Sequence, residues 1–498
     1  MTGTGVATGV TTPARPANRW LVLAVLCLAQ LTVVLDNTVL NVAIPSLTGD
    51  LHAATSDVQW MVNAYSLPQA GLLLAAGSAA DRYGRRRLLL VGLAVFGLAS
   101  VAASCAQSAG QLIAARAVMG IGGALLLTTT LAIAVQVFDA DERPRAIGIW
   151  ATVNAFGFAA GPLIGGLTLA HFWWGAIFLV NVPVVVVGLV ATSLLVPESR
   201  GPSAGRPDVV GAALSTAGLT ALVYAISAPD HGWHAGRVPL SATAGVLLLG
   251  LFVGWQLRVP HPLLDLNLFR DRRFVAAVAG VVLITFGSAG ALFLLSQQLQ
   301  FVRGYPPLAA GLRMAPFALS VVLLIVTGIP ARLTRALGSP LAIATGMTLL
   351  AAGFAVVAQF PTSGYPVLLA GLVLMGTGCA VANPAIVAAV MDAIPPQRAG
   401  TGAGIDGTMT EVGSSLGVAV LGAVLNARFH ALLPAALAVA GSFPAALAAT
   451  RTPDEVTATV DAFASSLQAG QFVGAAAVLV GGGVTAYLLR DAERRRSG

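Results

Sequence analysis

The sequence predicts an all-α integral membrane protein of fourteen transmembrane helices, built as two pseudo-symmetric six-helix bundles plus an inserted helix pair. Three observations carry this. The chain has 498 residues, 57% of them hydrophobic and 9% charged, with a mean hydropathy of +0.85; soluble domains carry about 25% charged residues. Apolar runs of about 18–28 residues recur along the chain, each long enough to cross a bilayer. The basic residues gather on one side of those runs, as they do in cytoplasmic loops.

Taken in order, the runs place helices near 19–44, 58–80, 87–105, 110–137, 145–170 and 174–196. Two more follow near 209–228 and 239–257, then six near 274–300, 307–330, 339–359, 365–391, 399–427 and 471–489. Residues 1–18 form a polar N-terminal tail, 19–197 the first bundle and 198–272 the inserted pair with its flanking loops. Residues 273–490 form the second bundle and 491–498 the C-terminal tail. With the N-terminus in the cytoplasm, 21 of the 27 cations fall in cytoplasmic loops and tails. Only Arg237, Arg303, Arg428 and Arg451 fall opposite, and Arg116 and Arg313 lie inside helices. Both termini are therefore expected in the cytoplasm. The segment 428–470 is apolar in part, but Pro434, Pro444 and "RTPDEVTATVD" predict an outward loop, with short helices lying on the membrane surface.

An internal repeat supports the two-bundle reading. "VMGIGGA" at 118–124 is similar to "LMGTGCA" at 374–380, an offset of 256. Gly157, Gly161 and Gly166 match Gly413, Gly417 and Gly422 at the same offset. Asp139-Ala140 and Arg145-Ala146 match Asp392-Ala393 and Arg398-Ala399 at 253. Parallel repeats with a site between them are a transporter architecture.

Composition also excludes. All 27 cations are Arg. Without Lys there is no Walker A phosphate loop and no Schiff-base chemistry. Cys27, Cys105 and Cys379 lie far apart in apolar segments and read as small buried side chains. The six histidines fall in loops or at helix ends, and "HGWH" at 231–234 is too small a set for a metal site. No cofactor is expected. No nucleophile–base pair or metal cluster marks an enzyme, and no nucleic-acid partner is expected.

Asp36, Arg116, Asp406 and Glu411 are ionisable residues in apolar helices, where each is costly. Asp36 lies in "VVLDNTVLNVAIP", roughly 13 Å from Pro45, and Arg116 lies roughly 9 Å inside its helix. The two stand at comparable depth. Either they form a structural pair that neutralises itself, or Asp36 is kept because it must change protonation. The repeat places Leu372 opposite Arg116, an asymmetry that packing alone does not need. Asp406 and Glu411 lie on one later helix. At five residues apart they point roughly 140° from each other, so they are not one two-carboxylate site.

"GSAADRYGRRRLLL" at 77–90 falls in the turn between the second and third helices. Gly77 reads as a place where helix ends approach closely, Asp81 as a partner for a nearby Arg, and Gly84 as a tight turn. This stretch, with Gly77, Asp81, Arg82, Gly84, Arg85 and Arg86, resembles motif A of the major facilitator superfamily. "LDNTVLNVAIP" resembles the helix 1 signature of its fourteen-helix drug:proton antiporter family (EmrB/QacA group). "LIAARAVMGIGGALL" resembles motif B, and "GFAAGPLIGG" at 157–166 resembles the antiporter motif C.

The resemblance implies roles. Asp81 and Arg85 would latch helix ends and bias the exchange between inward-open and outward-open states. Arg332 and Arg335 repeat the spacing of Arg82 and Arg85 without a matching acid. Gly157, Gly161, Pro162, Gly165 and Gly166 would bend the fifth helix and pack it closely. Glu411 is similar to an acid that some multidrug members carry on this helix, whereas Asn63 stands where quaternary-ammonium exporters often carry an acid.

The expected function is export of amphipathic drugs or antibiotics by proton-coupled antiport, with the proton gradient as energy source. A cationic or hydrogen-bonding substrate would compete with protons for the carboxylates. The competing reading is a proton-linked or facilitated transporter of a non-drug metabolite. The expected setting is the cell membrane of a high-GC bacterium, as a multi-pass monomer.

Overall fold

The computed structural model describes residues 18–139, 141–200, 207–227, 237–260, 262–359, 364–392, 399–434, 437, 440 and 442–497. The tail with Arg15, the "HGWH" stretch, Ala140, Ala393 and Arg398 lie outside the described residues. The rest is helical. Among the described residues, twelve helices are long and apolar enough to cross a membrane.

The first six runs form α1 (Arg19–Asp50), α2 (Thr55–Tyr83), α3 (Arg85–Ser104), α4 (Ala109–Val137), α5 (Arg143–His171) and the pair α6 (Ala176–Leu179) and α7 (Asn181–Leu195). Two more are α8 (Val209–Ser227) and α9 (Arg237–Gln256). The chain continues through α10 (Arg272–Gln297), α11 (Pro307–Thr327), the short α12 (Ile329–Leu337), α13 (Ser339–Gln359), α14 (Tyr365–Asp392), α15 (Ala399–Leu432), α16 (Phe443–Ala449) and α17 (Pro453–Ser497). Side chains at the starts take up orphan backbone donors. The Asp57 carboxylate accepts from Ala54 N at 3.0 Å before α2, Ser108 Oγ from Gln111 N at 3.3 Å at α4, and Asp271 from Arg273 N at 2.8 Å at α10.

The run 174–196 forms one span, Ala176–Leu195, in which α6 leads through Val180, itself in helical conformation, into α7. One expectation needs correction. The last helix starts at Pro453 rather than near 471, so much of 428–470 is not an outward loop. "RTPDE" is a helix start, not a breaker. Pro453 takes the first helical position, where its missing N–H is not needed. Thr452 N donates to Glu455 Oε2 and Glu455 N donates to Thr452 Oγ1, both at 3.3 Å, a reciprocal capping box. The short α16 is held by rings. Phe443 meets Phe463 at 4.4 Å between centroids, and Phe463 in turn meets Phe429 at 5.3 Å and Phe301 at 5.8 Å, both edge-on.

Packing places the site. α2 lies against α4 and α15, α1 against α5, and α5 against α11. The pair α8–α9 packs on itself, and α8 touches both α2 and α15. There Leu67, Val223 and Ala419 form a small apolar cluster of their own. A seam between the first six runs and the later helices thus runs along α2–α15 on one flank and α5–α11 on the other. It is closed at the end away from Arg82–Arg87. Ser296 Oγ donates to Asn41 O there, and Gln300 Nε2, from a π-helical turn at Gln298–Val302, donates to Val42 O at 3.1 Å.

Candidate functional site

The costly ions of α1 and α4 meet. Arg116 Nη1 is ion-paired with Asp36 Oδ2, and their side chains are 0% and 2% exposed. Arg116 Nε donates to the Met61 carbonyl at 3.0 Å, and its guanidinium lies 4.4 Å from the centre of the Tyr65 ring. The other Asp36 oxygen accepts from Asn181 Nδ2 at 3.3 Å, and Asn181 also reaches Ser100 Oγ at 3.4 Å. Tyr65 Oη donates to Val33 O at 3.4 Å. Four helices therefore converge on one carboxylate. Asn181, the first residue of α7, reaches Asp36 from that span. Arg116 Nη2 has no hydrogen-bond partner among the described residues.

Tyr65, Asn181 and Met61 are additions to the sequence-derived set. Asn181 and Tyr65 are polar groups in apolar runs, which is a signal of a kind, but neutral residues there read as packing until a neighbouring helix supplies the partner. The backbone carbonyl of Met61 leaves no trace in sequence.

Glu411 and Asp406 sit apart from this pair. Glu411 is buried on α15, beside Ser66 of α2 and close enough to Tyr65 and Arg116 to interact with both through its charge. Its Oε2 has no partner among the described residues. Asp406 lies nearer the arginine-rich end, half-buried, with Gly404 and Gly407 of its turn against Leu74 and Leu73 of α2. Asn63 is 0% exposed on α2, and both ends of its amide lack a partner among the described residues.

The turn at 77–90 is a tied knot within the first six runs. Arg85 Nη2 pairs with Asp81 Oδ1 at 2.7 Å, and Arg85 Nη1 donates to Ala132 O at 3.1 Å and Gln136 Oε1 at 2.8 Å on α4. Gly84 has φ +113°, and a Cβ there would meet the Glu198 carboxylate at 2.6 Å. Glu198, another addition, accepts from Arg86 N at 3.2 Å and Ser199 N at 3.0 Å, and lies 3.7 Å from Arg87. Arg86 donates to Ser193 O. Arg82 lies 5.8 Å from the Tyr83 ring. Gly77 is not a point of close approach: a Cβ there would meet only Thr128 Cγ2, at an ordinary 3.9 Å. That glycine is not required by packing in this structure.

The glycines of α5 are required by packing. A Cβ on Gly157 would meet Leu31 at 3.0 Å, one on Gly161 would overlap Thr38, and one on Gly165 would meet Val39 at 3.1 Å. All three contacts are on α1, within about a turn or two of Asp36. A Cβ on Gly166 would meet Leu308 Cα of α11 at 2.7 Å, and Gly311 of α11 lies against the Pro162 carbonyl. The α5 helix is thus wedged between the helix that carries Asp36 and the start of α11, with Pro162 at the crossing.

Chemically, the arrangement can hold or release one proton at a carboxylate shielded from water, with a fixed cation beside it. No group of three or more His, Cys, Asp or Glu suited to a metal occurs among the described residues.

Comparison with known proteins gives one picture. The family model described as Major Facilitator Superfamily matches residues 26–418. The chain is 35% identical to the multidrug efflux pump LfrA of Mycolicibacterium smegmatis, over 94% of this chain and 96% of that protein. It is 36% identical to the methyl viologen resistance protein SmvA of Salmonella typhimurium, over 84% and 85%. It is 33% identical to the tetracenomycin C resistance and export protein of Streptomyces glaucescens, over 83% and 77%. Among solved structures, an inward-facing, unoccupied bacterial homolog of the human lysosomal transporter Spinster matches with a TM-score of 0.69 at 18% identity, covering 96% of this chain and 98% of that one.

Proposed function

This chain belongs to the Major Facilitator Superfamily, and from that premise we propose that it is a secondary active exporter that carries amphipathic drugs out of a bacterial cell in exchange for protons. It is a transporter, not an enzyme, and a multi-pass membrane protein. The observation that carries the proton-coupled reading is the Asp36–Arg116 pair, buried where four helices meet. A buried acid with a permanent cation beside it can be neutralised by a proton or by a competing substrate cation, but not by both together. That exclusivity is the minimum an antiporter needs.

The cycle we infer is alternating access. We count fourteen crossings: the twelve long apolar helices found among the described residues, plus α2 and α5, each of 29 residues and so long enough to span a bilayer. That count and the helix 1 signature support our assignment of the chain to the EmrB/QacA group, with α8 and α9 as the inserted pair. We place both termini in the cytoplasm, so that the end of the seam closed by Ser296 and Gln300 faces outward. It works as a monomer, and the proton gradient supplies the energy. The test is drug uptake into everted vesicles: a gradient acid inside should drive uptake, and a protonophore should stop it. Uptake that is saturable but indifferent to the gradient would favour the facilitator for a non-drug metabolite.

Asp81 serves the exchange between states rather than binding. It ties α2, α3 and α4 at the cytoplasmic turn, far from the Asp36 site. Asp81→Ala should lower the transport rate in vesicles at saturating drug, with substrate affinity in detergent almost unchanged. Collapsed affinity with a normal saturated rate would contradict the assignment.

Glu411, with one carboxylate oxygen unpaired among the described residues, is available to a cationic cargo. SmvA is named for resistance to methyl viologen, a dication, and Glu411 supplies one partner for such a charge here. Losing a partner to a fully buried cation costs about 3–5 kcal/mol, and water in an open cavity reduces this. Glu411→Gln should therefore cut resistance to cationic drugs and spare neutral ones. Equal loss for both would make it a coupling residue.

A further inference from the structure

The seam between α2 and α15 holds polar groups that the proton-coupling reading does not use. Gln59, Asn63, Ser66 and Gln69 of α2 are each 0% exposed. The amides of Gln59, Asn63 and Gln69 have neither N nor O paired among the described residues. Ser415 Oγ and Glu411 Oε2 on α15 are unpaired likewise. At 100° per residue, Gln59, Asn63 and Ser66 fall on one narrow face of the helix. That face meets α15: a Cβ on Gly422 would touch Gln59 Nε2 at 2.5 Å, and Ser66 lies beside Glu411.

Buried polar groups are normally hydrogen-bonded, and each exception needs a reason. A seam meant only to pack would carry apolar residues, as the neighbouring contact of Leu67 with Ala419 does. Amides offer a donor and an acceptor each and no charge. Water would satisfy them when the seam opens, but water does not require three uncharged groups in register on one face. A rigid cargo does. The groups on Asn63 and Ser66 lie about 6 Å and about 10 Å along the axis from Gln59.

We propose that Gln59, Asn63 and Ser66 form a recognition stripe for the hydroxyl, carbonyl and amide groups of uncharged, oxygen-rich cargo, with Ser415 completing it from α15. The inference rests on the export reading and names the chemistry of cargo the site accepts. The stripe is shut in this conformation and becomes available when α2 and α15 part. Glu411, at its edge, adds a charge for cationic cargo, so one site accepts two chemistries by different atoms.

The test is equilibrium binding by the full-length protein in lipid nanodiscs. The two probes are chloramphenicol, uncharged with hydroxyl and amide groups, and tetraphenylphosphonium, a cation without hydrogen-bonding groups. Wild type should bind both. Asn63→Leu and Gln59→Leu should each weaken chloramphenicol about tenfold, the scale of one lost hydrogen bond with a partner left unpaired, while tetraphenylphosphonium changes by less than about twofold. Asn63→Gln, which keeps the amide, should recover most of the loss. Equal weakening of both probes would assign the amides to the conformational seam and overturn the proposal. So would no weakening, or wild-type binding of tetraphenylphosphonium alone. Gradient-driven uptake by wild-type vesicles separates the two levels: its absence defeats the export reading, whereas uptake with non-discriminating amide variants defeats only the stripe.

Discussion

Asp36→Asn should abolish gradient-driven export and leave the protein inserted and folded. The substitution keeps the shape of the side chain and its contact with Asn181, but removes the group that gains and loses the proton. It also leaves the Arg116 charge without its counter-ion in a site with no exposure. Breaking such a pair costs about 3–5 kcal/mol. Part of that is offset here, because the Met61 carbonyl and the face of Tyr65 still hold the guanidinium. The purified variant should therefore melt at a lower temperature but remain monodisperse. Asp36→Asn with Arg116→Gln should recover thermal stability, since no charge is then buried alone, and should still not export. Recovery of both would reduce the pair to a structural one.

The second large effect is expected at Gly161. Its Cα lies so close to Thr38 that a Cβ would overlap that side chain, with Thr38 Cβ at 2.7 Å. Gly161→Leu must push α5 off α1, and with it the contacts of Gly157 and Gly165 on either side. Overpacking of this kind costs about 1–3 kcal/mol, but the functional loss should be larger than the stability loss. The α5 helix also holds α11 through Pro162 and Gly311, so the displacement reaches both sides of the seam. Export should fall to background, with membrane levels reduced but measurable. Gly161→Ala should be milder, and Thr38→Gly should restore it in part by vacating the space the new methyl enters. Normal drug resistance in the Gly161→Leu strain would contradict this account of motif C.

Much of this was legible in the sequence because membranes make mistakes expensive. Asp36 and Arg116 declare themselves as charges in apolar runs at similar depth, and the packing of α4 beside α1 brings them into contact. The α5 glycines are legible for the same reason: small residues at helical spacing on a membrane helix mark close packing. What stayed hidden is what depends on a neighbour. Nothing at Tyr65 or Asn181 distinguishes them from packing residues until α4 and α1 supply the partner. Glu198 reads as an ordinary loop acid until Gly84 leaves room for its carboxylate. Thr452 and Glu455 carry a readable start signal in "RTPDE", and Pro453 between them stands where a proline opens a helix rather than breaks one. Gly77 erred the other way, since a motif glycine suggests contact and the structure leaves space around it.

The most direct test of the central claim is drug transport in proteoliposomes of purified wild type and Asp36→Asn, with the internal pH set independently and the external proton concentration followed. The account predicts that wild type moves drug against its gradient only while a proton gradient is present, with protons flowing in the opposite direction. The Asp36→Asn protein should bind drug but move neither. Uphill drug movement by Asp36→Asn, or wild-type movement that ignores the proton gradient, would contradict it.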